Sequence, residues 1–396
     1  MSTSTPPSPA RSRIDGFDLA RALAIIGMMT SHLGPDLPWV NAASNGFPSA
    51  LFAVLAGVSL CLMHARADAE GGPALARARH RTLIRGVILV GTGMMLSTVQ
   101  GIIAVVLGSI GAIYLVLGPC TRWRTRWLLA GAVALPLAGI ALSFYLSQGG
   151  PMSTTPLLEG AYPVLNWLAY GLFGMVLLRA FRAGARAATA VTLAGIAVGG
   201  YALWQRHLTG ELGHGENPLD VVYSYGFSAG VIGLCLLLTR PRALSAALYP
   251  LRSMGIMALT VYAAHVLTAA IPLAGYPFQH SGAESGYSRS AEDPFPGVDF
   301  EEFRSRVSQT QDWEDYMSTQ TEMLYQPMKD KAESAPAAPE TGHTGWWLGS
   351  IAAALLFCSA WRAWKPRGPL EEALRRAAYR GSGSGEGTAA ARARLA

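Results

Sequence analysis

The chain has 396 residues, 51% of them hydrophobic and 14% charged, with 44 glycines, a mean hydropathy of +0.28 and a formal net charge of +6. That balance excludes an ordinary soluble domain and points to a membrane protein that crosses the bilayer many times. The excess of arginine forms no clustered basic face with interleaved aromatics, which argues against nucleic acid as a partner.

Apolar runs long enough to span a bilayer, at about 20 residues each, fall at 17–34, 46–64, 83–99, 101–119, 127–147, 162–180, 187–204, 219–239, 253–274 and 345–363. The expected fold is therefore all-α, a polytopic helical bundle of about ten transmembrane helices. Only Gln100 and Gly101 separate the third and fourth runs, which reads as a tight hairpin, because one helix of that length would overshoot any bilayer. The first run could be mistaken for a signal peptide, but it carries two charges in its first turns and no small-residue cleavage site follows. It reads as a retained helix.

Arginines punctuate the even-numbered connections: Arg66 to Arg85, Arg122 to Arg126, Arg179 to Arg186 and Arg240 to Arg252, with Lys365, Arg367, Arg375 and Arg376 in the tail. The odd-numbered connections are nearly free of them. By the positive-inside rule both termini should be cytoplasmic, in a plasma membrane. The organisation that follows is a disordered N-terminus (1–16), nine helices (17–274), an extracytoplasmic insertion (275–343), a last helix (344–364) and a basic cytoplasmic tail (365–396).

The insertion holds 13 of the 25 acidic residues and five basic ones. Within it, Phe300, Phe303, Val307, Trp313, Tyr316, Met317 and Leu324 are spaced for one or two amphipathic helices lying over the membrane domain. A cap over an external cleft and an inert surface insertion are both open readings. Cys61, Cys120, Cys235 and Cys358 fall in or beside the spans as small apolar fillers, and neither a disulfide nor a metal site is expected.

The opening helix, "DLARALAIIGMMTSHL" (18–33), poses the functional question. Arg21 and His32 are eleven residues apart, which brings them within about 20° of one face and separates them by roughly 16 Å. Asp18 lies one turn below Arg21, where it can neutralise it. Ionisable groups inside a membrane helix normally face the protein interior or a watery cavity. The competing reading is an interfacial anchor, with Asp18 and Arg21 snorkelling and His32 emerging into a loop. Of the other histidines only His265 sits inside an apolar run. Its rise from Arg252 puts it about 20 Å across, a depth similar to that of His32. Two imidazoles at one depth suggest a shared cavity and general-base chemistry, although hydrogen bonding between packed helices would also account for His265.

"RIDGFDLARALAIIGMMTSHL", "NGFPSALFAVLAGVSL", "YPVLNWLAYGLFGMVLLR", "GHGENPLDVVYSYGFSAGVIGLCLLL", "SMGIMALTVYAAHVL" and the closing "RGPLEEALRR" together resemble the YeiB-like family of bacterial membrane proteins. That family is similar, more distantly, to the transmembrane acyltransferase superfamily, including heparan-alpha-glucosaminide N-acetyltransferase and the acyltransferase-three enzymes. Arg21 with His32 resembles the hallmark pair of the latter. Asn45 and Gly46 resemble the Asn-Gly of the heparan enzyme's first external loop, though "FPSALF" lacks the acid that should follow.

The resemblance implies transfer of an acyl group, acetyl in the first instance, from cytoplasmic acyl-CoA to an external sugar or envelope lipid. Arg81 and Arg85 would hold the CoA phosphates, His32 would be the base or acyl carrier, and His265 or Asn45 would orient it or the oxyanion. The expected partners are the bilayer, acetyl-CoA or another acyl-CoA, and the acceptor, with a homodimer left open. A transporter or flippase would also use buried ionisable groups, but no inverted repeat or pair of broken helices is visible. A noncatalytic role in envelope assembly is the third alternative. Gly195 with Gly199, and Gly226 with Gly230, provide faces for close helix packing.

Overall fold

The computed structural model describes residues 14–99, 103–149, 162–210, 218–273, 300–310, 313–320, 322–323 and 343–380. Of the expected disordered start (1–16), residues 1–13 lie outside the described residues, as do most of the acidic insertion and the end of the basic tail (381–396), whereas Asp15 and Gly16 already belong to the first helix.

Among the described residues every regular element is helical: α1 (Asp15–Leu33), α2 (Pro38–Ser44), α3 (Phe47–Glu70), α4 (Gly72–Val99), α5 (Leu107–Leu117), α6 (Thr125–Gly149), α7 (Val164–Arg182), α8 (Ala185–Thr209), α9 (Pro218–Leu238), α10 (Arg242–Ala247), α11 (Tyr249–Ile256), α12 (Ala258–Leu273), α13 (Phe300–Val307), α14 (Trp313–Gln320), α15 (Thr344–Trp364) and α16 (Pro369–Arg380), with a 3-10 turn over Gly118–Arg122. Helices occupy all ten expected spans. Among the described residues six stretches are long and apolar enough to cross a membrane, namely 38–70, 125–142, 164–182, 185–209, 219–238 and 344–364. The protein is an all-α polytopic membrane protein.

Two spans depart from expectation. The run at 101–119 yields only the eleven-residue α5, which at about 16 Å reaches half-way through a hydrocarbon core of about 30 Å. It still folds back on α4 as a hairpin, with Gly93 of α4 backed against Gly108 of α5. The run at 253–274 is not one helix: α11 and α12 meet at Met257 with a bend of 83°. A broken helix is thus present where the sequence reads as continuous.

Bundle cohesion comes from close packing between apolar helices, since lipid tails offer no hydrophobic drive for helix association. The pair α8 and α9 shows the means. Gly195 lies against Gly230, and Gly199 against Phe227 and Gly226, so closely that a Cβ at either α8 glycine would overlap the α9 backbone. At the middle of the bundle is α1, in contact with α2, α3, α9, α11, α12 and α15. Its Ala20, Ala22, Ala24 and Ile25 are fully buried. Because successive long helices alternate in direction, the arginine-bearing connections and α16 gather at the end where α1 begins, and His32 lies near the other. In the insertion, α13 and α14 pack together over buried Phe303, Val307 and Tyr316, and α13 touches α6.

Candidate functional site

The site is built on α1. Asp18, 3% exposed, accepts a 2.6 Å hydrogen bond from Arg21 Nη1, and Arg21 Nη2 donates to Ser59 of α3 at 2.8 Å. Arg21 therefore faces the interior and is not an interfacial anchor pointing to lipid. Tyr114 on α5 faces the same spot, with Ser59 as hydrogen-bond partner and the Arg85 and Arg21 guanidiniums as electrostatic neighbours. A residue with a side chain at position 255 would collide with the Asp18 carbonyl, so Gly255 lets α11 seat against α1 at this level. Below it, Asp15 forms an ion pair with Arg252 and accepts from Ser245 Oγ at 2.8 Å.

About 16 Å further along α1 the two membrane histidines meet. Nδ1 of His32 lies 3.0 Å from Nε2 of His265, with the rings stacked at 7° and centroids 5.3 Å apart. His265 is 3% exposed, and its Nδ1 is buried with no hydrogen-bond partner. His32 is half-buried. Trp347 of α15 donates to Thr30 Oγ1 at 3.0 Å, and a small apolar cluster of Leu33, Ile103, Ala269 and Trp347 packs beside the pair. A pair bonded through one nitrogen each shares a single proton across that bond. When His32 Nδ1 donates, its Nε2 holds a lone pair suited to taking a proton, while His265 fixes the ring.

The remaining predicted residues are more scattered. Arg81 stacks over the Tyr379 ring of α16 at 4.1 Å, and Arg85 donates to the Met63 sulfur at 3.3 Å, so the two arginines, one turn apart on α4, contact different neighbours. Asn45 is buried before α3, and its carbonyl accepts from Arg206 Nη1 at 2.6 Å.

Arg206 itself was not legible as a site residue. It is 4% exposed, lies 3.7 Å over the Phe47 ring and reaches Asp220 at 3.3 Å. The spacing of Arg206 and Asp220 across the short α8 to α9 connection is the one signal that could have revealed it. His64 is the last residue of the apolar run at 46–64. It is fully buried, with Nε2 2.7 Å from Thr82 Oγ1.

A cavity of about 460 Å³ opens at the arginine-rich end between the starts of α1 and α8 and the ends of α7 and α9, lined by Ile14, Phe17, Phe181, Arg182, Gly233 and Arg240 among others. Neither imidazole lines it. Among the described residues no group of three His, Cys, Asp or Glu side chains could hold a metal.

A helical bundle with apolar spans, an ion pair and a bonded imidazole pair buried along its central helix is a membrane protein with an internal polar site. Residues 13–207 match the family model for the heparan-alpha-glucosaminide N-acetyltransferase catalytic domain. The chain is distantly related to that domain over this stretch, which runs from α1 into the end of α8 and carries Asp18, Arg21, His32, Asn45, Arg81 and Arg85. His265 lies beyond it. No curated protein matches the chain. The similarity supports a family of membrane acetyltransferases.

Proposed function

We propose that the protein moves an acyl group, acetyl in the simplest case, from acyl-CoA at the arginine-rich, cytoplasmic end to a hydroxyl or amine of a sugar or envelope lipid at the opposite end. The observation that carries this reading is the His32 and His265 pair, at 3.0 Å, with His32 on the helix that also carries the Asp18 and Arg21 ion pair. Arg81 and Arg85 would meet the CoA phosphates, as guanidinium forks suit phosphate.

His32 Nε2 takes the proton of the acceptor hydroxyl or amine, whose oxygen or nitrogen attacks the thioester carbonyl carbon. The carbon–sulfur bond breaks, and the CoA thiolate leaves with the proton returned by the imidazolium. His265 holds the His32 ring by the shared hydrogen bond. Asn45 is proposed to aid the developing oxyanion.

The test is release of free CoA by purified protein in lipid nanodiscs, with radiolabelled acetyl-CoA and glucosamine as trial acceptor, comparing wild type with His32→Ala. Loss of CoA release and of labelled product in the variant supports the enzyme, and unchanged release overturns it. The 83° break between α11 and α12 favours a second reading, since transporters build their sites on interrupted helices. Accumulation of labelled sugar in proteoliposomes without any acyl transfer would select that reading.

A further inference from the structure

The closing "GPLE" (368–371) has no role in the chemistry above, yet the structure brings it to the break in the membrane helix. A helix that starts inside a bundle exposes backbone N–H groups that have no partner within the helix, and in a membrane no water can satisfy them. At the start of α12 two of those groups are met by one side chain. Glu371 Oε1 accepts from the N–H of Leu259 at 2.8 Å and of Thr260 at 3.1 Å, and Oε2 accepts from Thr260 Oγ1 at 2.6 Å. The loop is closed in return, because Leu370 N–H donates to Thr260 Oγ1 at 3.2 Å. Gly368 is required there: a Cβ would run into the Glu371 carboxylate and the Thr260 hydroxyl. A carboxylate at a helix N-terminus is also the favourable sign for the helix dipole.

The helix so capped is the one that carries His265, five residues beyond Thr260, and His265 is the ring that holds His32. Two turns further along, α16 is fixed to α4 by the stack of Arg81 on Tyr379. We infer that Glu371 is a positioning residue: by capping the broken helix from the cytoplasmic-tail side, it sets the height and rotation of α12 and thereby holds His265 against His32. This rests on the reading of the pair as the reacting group only for its activity readout.

The experiment uses the full chain in nanodiscs and follows carbethoxylation of imidazole by diethyl pyrocarbonate at 240 nm. The signal of the pair is the difference from a His32→Gln, His265→Gln double variant. Glu371→Ala should make the pair react about fivefold faster, the size of effect expected for loss of a helix cap on a local opening equilibrium. Glu371→Gln, which keeps the shape and one acceptor oxygen, and Thr260→Val, which removes the shortest of the three bonds, should fall between. Glu70→Gln, which alters an exposed carboxylate paired with Arg66 at the end of α3, should react as wild type.

In acetyl transfer, kcat should fall in the same order with KM for acetyl-CoA unchanged. If Glu371→Ala does not fold, the Gln and Val variants carry the comparison. Variants that melt earlier while the pair's rate and its pH midpoint stay at wild-type values overturn the inference. If His32→Gln keeps full acetyl transfer, the enzymatic reading fails, and the modification rates still decide the role of Glu371.

Discussion

Nδ1 of His32 and Nε2 of His265 lie 3.0 Å apart although 233 residues separate them in the chain. Because only one proton fits between the two nitrogens, the pair is asymmetric, with one ring a donor and the other an acceptor. His32→Gln should lower acyl transfer by about 10²- to 10⁴-fold, the usual worth of a general base. His265→Gln should cost less, about tenfold to a hundredfold, since an amide can still hold the His32 ring. Steady-state CoA release measures both, and equal losses would assign the reaction to the pair as a unit.

Asp18→Asn should destabilise the protein by roughly 2–4 kcal/mol, because it leaves the Arg21 guanidinium largely buried without its counter-charge. Ser59→Ala, which removes one neutral partner of Arg21, should cost about 1 kcal/mol. Thermal unfolding in detergent, followed by scanning fluorimetry, orders the two.

Arg206→Lys should behave almost as badly as Arg206→Met. The guanidinium reaches the Asn45 carbonyl and Asp220 together while lying on the Phe47 ring, and a single ammonium cannot do all three. A loss of roughly 2–4 kcal/mol is expected for either variant, again from unfolding midpoints, with Asp220→Asn milder.

Much of this anatomy could be read along the chain, and the failures share one cause. The spacing of Asp18, Arg21 and His32 is local, so a helical period alone placed Arg21 and His32 on one face. The glycines at 195, 199, 226 and 230 likewise betray close packing without any knowledge of the partner. The break at Met257 could not be seen, because "SMGIMALT" is an unbroken apolar run. It is held open by Gly255 seated on Asp18 and by Glu371, more than a hundred residues downstream. Arg206 looks like one more boundary arginine until α9 returns with Asp220 beside it. The short α5 was over-read because hydropathy records how apolar a run is, whereas the helix begins only at Leu107, after a non-helical stretch whose Val106 N–H donates to the Tyr262 hydroxyl.

Glu372 offers a pH test of the tail helix. Hydrogen bonds from Arg375 and then Arg376 hold its carboxyl down at about 2, against the usual 4.5. A depressed acid contributes fully above its unfolded value and loses its contribution as the pH falls through the folded one. Protection of α16 from proteolysis should therefore be constant above about pH 4.5 and weaken between there and pH 2. Glu372→Gln should remove that dependence.

The chain leaves the bundle from the far end of α12, beyond His265, and returns through α15, where the indole of Trp347 grips the hydroxyl of Thr30, two residues before His32. The insertion is thus tied at one end to the helix that bears His265 and at the other to a helix hydrogen-bonded to α1 just before His32. Loss of the Trp347 indole N–H would therefore loosen the hold of α15 on α1 two residues short of His32.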